Sequence, residues 1–80
     1  MALTSYVFDS PLDTERTITI INNVISSLGG RTKRDGNVIV AWVEGQRFTF
    51  FVRVNDVKVV TSGCLFEVCN KILMELKNAC

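Results

Sequence analysis

From Val38 to Val60 apolar side chains come in dense β-prone runs, and on either side of that stretch they recur at helical spacing. The segment from Asn37 to Thr61 reads NVIVAWVEGQRFTFFVRVNDVKVVT. Three runs rich in Val, Ile, Phe, Trp and Thr are separated by Glu44-Gly45 and Asn55-Asp56, a pattern that predicts an antiparallel three-stranded meander. Two-residue turns set a register. Around Glu44-Gly45, Val43 faces Gln46, Trp42 faces Arg47, Ala41 faces Phe48, Val40 faces Thr49, Ile39 faces Phe50 and Val38 faces Phe51. Around Asn55-Asp56, Val54 faces Val57, Arg53 faces Lys58, Val52 faces Val59 and Phe51 faces Val60.

Strand side chains alternate between faces, so this register sorts them. One face carries Ile39, Ala41, Val43, Phe48, Phe50, Val52, Val54, Val57 and Val59, is wholly apolar, and is expected to be core. The other carries Val38, Val40, Trp42, Arg47, Thr49, Phe51, Arg53, Lys58 and Val60. This second face is an apolar band with an indole and a phenyl ring, edged by three cations. Either it is an open interaction surface, or the chain covers it with residues 1–8 or with a helix.

Upstream, residues 3–8 (LTSYVF) are β-prone and read as a short edge strand or an arm. A helix follows. Ser10 as N-cap and Pro11 at the first helical position mark its start, and Asp13 and Glu15 suit the positive end of its dipole. Ile18, Ile21, Val24, Ile25 and Leu28 recur at helical spacing, and Gly29-Gly30 ends the helix. The β-branched run Thr17–Ile21 is compatible with a strand, but the signals at both ends favour helix. The segment Arg31–Asn37 holds the densest positive charge, with Asp35-Gly36 as a turn, and Thr32–Arg34 is a candidate fourth strand.

Downstream, Ser62-Gly63 leads into a second helix with Ser62 or Thr61 as N-cap. Leu65, Val68, Cys69, Ile72, Leu73 and Leu76 form its apolar stripe, and Phe66 and Met74 sit beside it. Glu67 and Lys71 are an i, i+4 pair in the favoured order. The expected fold class is α+β, a two-layer α-β-β-β(-β)-α sandwich with both helices on one face of the meander, in a single domain spanning residues 1–80.

Composition narrows the function. Nine Lys and Arg against eight Asp and Glu leave a net charge of +1, too little for a global field that would gather nucleic acid or membrane. No run approaches the ~18 apolar residues of a membrane span, and MALTSYVFDSPLD lacks the basic-then-apolar order of a secretory signal. Cys64, Cys69 and Cys80 form neither a disulfide framework nor a CxxC pair, which fits reduced thiols in the cytoplasm. The chain has no histidine, so Ser-His and Cys-His nucleophile pairs and the usual zinc ligand are absent. Cys64, near a helix start, is the one candidate for a reactive thiol, while Cys69 lies on the apolar stripe and reads as packing. Gly29-Gly30 follows a helix rather than preceding one, contrary to phosphate-loop logic. We expect no enzyme activity, no cofactor and no metal.

Ser5–Ser10 (SYVFDS), Ile18–Gly30 and Thr61–Lys77 (TSGCLFEVCNKILMELK) give the chain an order that resembles the kinase-associated C-terminal domain of AMPK-related and MARK-type kinases. In that family an aromatic, Ser-containing lead enters a first helix, and a Ser-Gly step enters the last helix after a curved antiparallel sheet. The resemblance implies binding of anionic phospholipid headgroups through basic residues at a membrane periphery, or autoinhibitory contact with a catalytic domain. Two other modules of similar outline, the double-stranded-RNA-binding domain and the small Alu-RNA-binding proteins of the signal recognition particle, bring RNA into consideration. The last helix lacks the lysine cluster of the former, whereas the face bearing Trp42, Phe51, Arg47 and Arg53 is similar to the open sheet of the latter.

The function expected first is a non-enzymatic, regulatory interaction module that docks a protein partner or a second copy through its outer sheet face or an edge strand. Val38, Val40, Trp42, Phe51 and Val60 would form the docking surface. The alternative is an anion-binding module for phospholipid headgroups or RNA, using Arg31, Lys33, Arg34, Arg47, Arg53 and Lys58.

Overall fold

The computed structural model describes residues 3–61 and 66–79. In chain order the elements are β1 (Thr4–Asp9), α1 (Thr14–Ser27), β2 (Arg31–Asp35), β3 (Val38–Val43), β4 (Gln46–Val52), β5 (Asp56–Thr61) and α2 (Phe66–Asn78). The five strands form one antiparallel sheet in the order β1-β5-β4-β3-β2. Both helices pack on one face of it, as the two-layer reading required. The lead segment forms a strand, Thr4–Asp9, rather than an arm, and β2 spans five residues where the sequence suggests three.

The core is the face that alternation marked. Ile39, Ala41, Val43, Phe48, Phe50, Val52, Val57 and Val59 are buried against Ile18, Ile21, Val24 and Ile25 of α1 and Val68, Cys69, Ile72 and Leu76 of α2. Phe48 and Phe50 stack with ring centroids 6.4 Å apart. Met74, expected beside the α2 stripe, is 62% exposed. Glu67 and Lys71 are both exposed, and no ion pair links them. Thr61 closes β5 and donates its hydroxyl to the Arg47 carbonyl at 2.7 Å. The proposed Ser62 cap, the Ser62-Gly63 step, Leu65 and the thiols of Cys64 and Cys80 lie outside the described residues.

Helix α1 starts later than Ser10 and Pro11 suggested. Asp13 is the N-cap, and its carboxylate accepts from the Arg16 amide at 2.8 Å. A carboxylate there satisfies an orphan amide and complements the helix dipole together. Ser10 does different work. Its amide donates to the Asn55 carbonyl at 2.9 Å, and its buried hydroxyl lies 2.6 Å from that of Thr17. The β-branched run stays helical because Ile18 and Ile21 are buried against the sheet, while Thr17 and Thr19 satisfy their hydroxyls on the carbonyls of Asp13 and Glu15. The helix ends in a Schellman arrangement. Gly29, at φ 78°, donates to Ser26, and Gly30 donates to Ile25.

The first hairpin has the expected register to the residue, since Glu44 and Gly45 both take positive φ, 51° and 78°. The second does not. Val52 pairs with Val57, Phe51 with Lys58, Phe50 with Val59 and Thr49 with Val60, so the turn falls on Val54-Asn55 rather than Asn55-Asp56. None of Val54, Asn55 and Asp56 adopts positive φ, so this turn is not the primed two-residue type that the Asn55-Asp56 reading assumes. The observed register instead sets Arg53 against Asp56. The Arg53 amide donates to the Asp56 carbonyl at 2.8 Å, and the Arg53 guanidinium donates to the Asp56 carboxylate. Val54, expected in the core, is 76% exposed at the turn. Because the slip is two residues, every paired side chain keeps its face.

Gly30 joins the end of α1 to the sheet. A Cβ there would stand 2.5 Å from the Trp42 carbonyl oxygen and 2.8 Å from methyls of Ile25 and Val43. Gly30→Ala is therefore expected to lower stability by about 1–3 kcal/mol, the usual cost of overpacking. At Gly29, where a Cβ meets open space, alanine should cost roughly 1 kcal/mol from the left-handed backbone alone. Urea unfolding of both variants checks the order; equal losses would show that the contact with β3 is not tight.

Candidate functional site: the outer sheet face

With α1 and α2 both on the core face, no described element covers the opposite face. The pairing registers place its side chains in rows across the strands. The first row is Arg31, Trp42 and Arg47. The second is Lys33, Val40, Thr49, Val60 and Ser5. The third is Asp35, Val38, Phe51, Lys58 and Val7. A fourth, at the turn end, joins Asp56 to Asp9, with Arg53 beside them. Successive rows are about 6.8 Å apart and neighbouring strands about 4.8 Å. Trp42 and Phe51 therefore lie about 14 Å apart, at opposite ends of a diagonal apolar band.

All five residues of the expected docking surface come together here. Trp42 is 39% exposed and Phe51 38%, while Val38, Val40 and Val60 are half-buried beside them. Phe51 stands between two shallow clefts. One, of about 380 Å³, is lined by Asn37, Val38, Val52, Arg53 and Lys58 as well as Phe51. The other, of about 210 Å³, is lined by Leu3, Arg47, Thr49, Val60 and Thr61 as well as Phe51. The alternative, a band covered by residues 1–8 or by a helix, is not what the described residues show: β1 pairs edge to edge with β5 and extends the face instead of crossing it.

The six cations of the anion-binding set divide. Arg31, Lys33, Arg47 and Lys58 are exposed on the outer face and form no ion pair with a described acid. Arg34 does not join them. In β2 it alternates to the helix face, opposite Ile39, and its guanidinium grips Glu15 of α1 in bidentate fashion at 2.7 and 3.1 Å. That contact draws the Glu15 carboxyl below its ordinary pKa and raises that of Arg34. Arg53 is held by Asp56, and the supposed Arg53–Lys58 opposition does not exist, since Lys58 faces Phe51.

The face is also polarised along the strands. Arg31 and Arg47 flank Trp42 at one end, while Asp35, Asp56 and Asp9 gather toward the other. Sequence reasoning missed the contribution of β1. Val7 is 46% exposed and prolongs the third row, and Leu3 is 69% exposed beside the second cleft. Alternation in TSYVFD held that information, but nothing in the sequence showed which strand it would join.

Among the described residues no group of three or more His, Cys, Asp or Glu is placed to hold a metal ion. No helix among them is long and apolar enough to cross a membrane. Cys69 is buried, and desolvation pushes its thiol pKa up to about 11. No family model matches the chain, and neither a curated protein nor a solved structure does.

Two measurements follow from this geometry. Trp42 emission should be red-shifted and readily quenched by a soluble quencher in the folded chain; a blue-shifted, protected indole at low concentration would mean that the face is covered. Cys69 should resist a maleimide at neutral pH and react once urea unfolds the chain, because the buried thiol is neutral there and its thiolate is the nucleophile. Peptide mapping reads that residue separately from Cys64 and Cys80.

Proposed function

We propose that the chain is a non-enzymatic, regulatory interaction module whose outer sheet face docks a protein partner. The observation that carries this reading is the uncovered band from Trp42 to Phe51 on a face that lies opposite both helices. An exposed apolar patch rimmed by polar groups is a recurrent mark of interaction sites, and Trp, Tyr and Arg are the residues that most often anchor them. The rim selects the partner. Arg31, Lys33 and Arg47 around Trp42 favour a segment that carries acidic residues next to an apolar side chain, while Asp35 and Asp9, toward the other end where Arg53 already neutralises Asp56, set its direction.

The four outer cations that pair with no described acid also support a second reading, contact with anionic phospholipid headgroups or RNA. The resemblance to kinase-associated C-terminal domains points the same way. Of the residues first assigned to that role, Arg34 and Arg53 are the weaker members, being engaged by Glu15 and Asp56. Arg31, Lys33, Arg47 and Lys58 would carry it.

A peptide library selected against the folded chain tests the first reading. Selected sequences should combine acidic and apolar residues. Trp42→Ala and Phe51→Arg should each weaken their binding by tenfold or more, about 1.4 kcal/mol, with melting temperatures little changed. Peptides that bind both variants as well as the parent would refute docking at this face. Retention on anionic vesicles or single-stranded RNA, lost at high salt and lost in Arg31→Ala/Arg47→Ala, would move the assignment to the second reading.

A further inference from the structure

We propose that β1 is a self-pairing edge, through which two copies of this chain join antiparallel into one continuous sheet. The two edges of the sheet differ. The edge strand β2 carries Arg31, Lys33 and Arg34, all exposed, and lysines and arginines on an edge are a standard guard against pairing with another chain. The other edge, β1, reads TSYVFD and has no cation, no proline and no charge before Asp9. Tyr6 and Val7 are 45% and 46% exposed on its two sides.

The backbone of β1 is set for such a pairing. The Ser10 amide donates to the Asn55 carbonyl, and these two residues continue the β1–β5 register. Hydrogen-bonded pairs alternate in an antiparallel ladder. Phe8, Tyr6 and Thr4 therefore direct their amides and carbonyls toward β5, and Ser5, Val7 and Asp9 direct theirs out of the sheet. An isologous two-fold axis requires residues of the same face to meet. An axis at Val7 sets Val7 against its own copy and Ser5 against Asp9, so all three outward-facing residues enter the ladder. It gives each Asp9 carboxylate a serine hydroxyl as donor. On the helix side it sets Tyr6 against Phe8 of the second copy, next to the Tyr6–Phe8 contact already present within the strand at 6.1 Å. An axis at Tyr6 would instead oppose Asp9 to Leu3, a carboxylate against an aliphatic side chain. The Val7 axis is therefore the one assigned.

A strand contact of this length is smaller than the roughly 800 Å² per partner of a standard interface, so association is expected to be weak. Sedimentation of the full chain up to about 1 mM, the concentration range of such weak contacts, tests the proposal. The mass average should rise toward twice that of the chain, and exchange of the Ser5, Val7 and Asp9 amides should slow with concentration. Val7→Pro removes only an outward amide, a substitution that edge strands tolerate, and should keep the chain monomeric. Val7→Lys places two like charges across the axis and should do the same if the proline variant fails to fold. A monomer at the highest concentration overturns the proposal. So does a dimer that survives both Val7 variants, or one lost only in Trp42→Ala and Phe51→Arg, which would place the self-contact on the outer face.

Discussion

Burial of Phe48 and Phe50 beneath the helices is the interaction on which the rest of the structure depends. The two rings stack along one side of β4, the central strand of the sheet, among Ile39, Ala41, Val57 and Val59 of its neighbours. Fixing them inward fixes Phe51 outward, because side chains of a strand alternate without exception once its register is set. The same step orients β3 and β5 on either side, and hence Trp42, Val40 and Val60. The exposed band is thus the obligatory reverse of the core. A single helix pair can cover only one face of a five-stranded sheet, and both helices are committed to the side where the larger apolar area lies.

That coupling explains how much was legible in the sequence. Period-two alternation predicted which residues of β3, β4 and β5 share a face, and the assignment survived an error in the second hairpin. Residue type alone places the turn at Asn55-Asp56. The competing determinant was the match of Arg53 to Asp56 across the strand ends, a non-adjacent pairing that turn propensities do not encode. A slip of two preserves parity, so only Val54, beyond the last paired residue of β4, changed from core to solvent. The start of α1 departs from its local signal for a related reason. Ser10 and Pro11 form a good local start signal, yet Ser10 is needed at the Asn55 carbonyl and the Thr17 hydroxyl, and Asp13 caps in its place.

The cation set shows where sequence reading stops. Arg31, Lys33 and Arg34 look like one cluster along the chain. Once β2 is a strand, Arg34 must point to the helix side, and Glu15, nineteen residues away, receives it. No local signal announces that partner. The edge strand β1 is similar: its pattern is β-like, but its place beside β5 follows from α1 carrying the chain across the core face to β2 at the far edge, a matter of topology and not of spacing.

Net charge near neutrality conceals a sorted distribution. The outer side of the sheet holds Arg31, Lys33, Arg47, Arg53 and Lys58 against Asp9, Asp35 and Asp56; the helix side and turns hold the other four cations and the other five acids. Arg53 and Asp56 neutralise each other, and Asp9 and Asp35 lie on different edge strands toward the same end. What remains near Trp42 is positive and unpaired among the described residues. Charges beyond about 10 Å are screened at physiological salt, so a ligand meeting the band at Trp42 responds to Arg31, Lys33 and Arg47 far more than to the sum over the chain. The low total charge therefore argues against long-range capture of a polyanion, while the local arrangement favours short-range recognition of a few acidic groups beside an apolar contact. This physical distinction ranks the protein partner above the membrane or RNA.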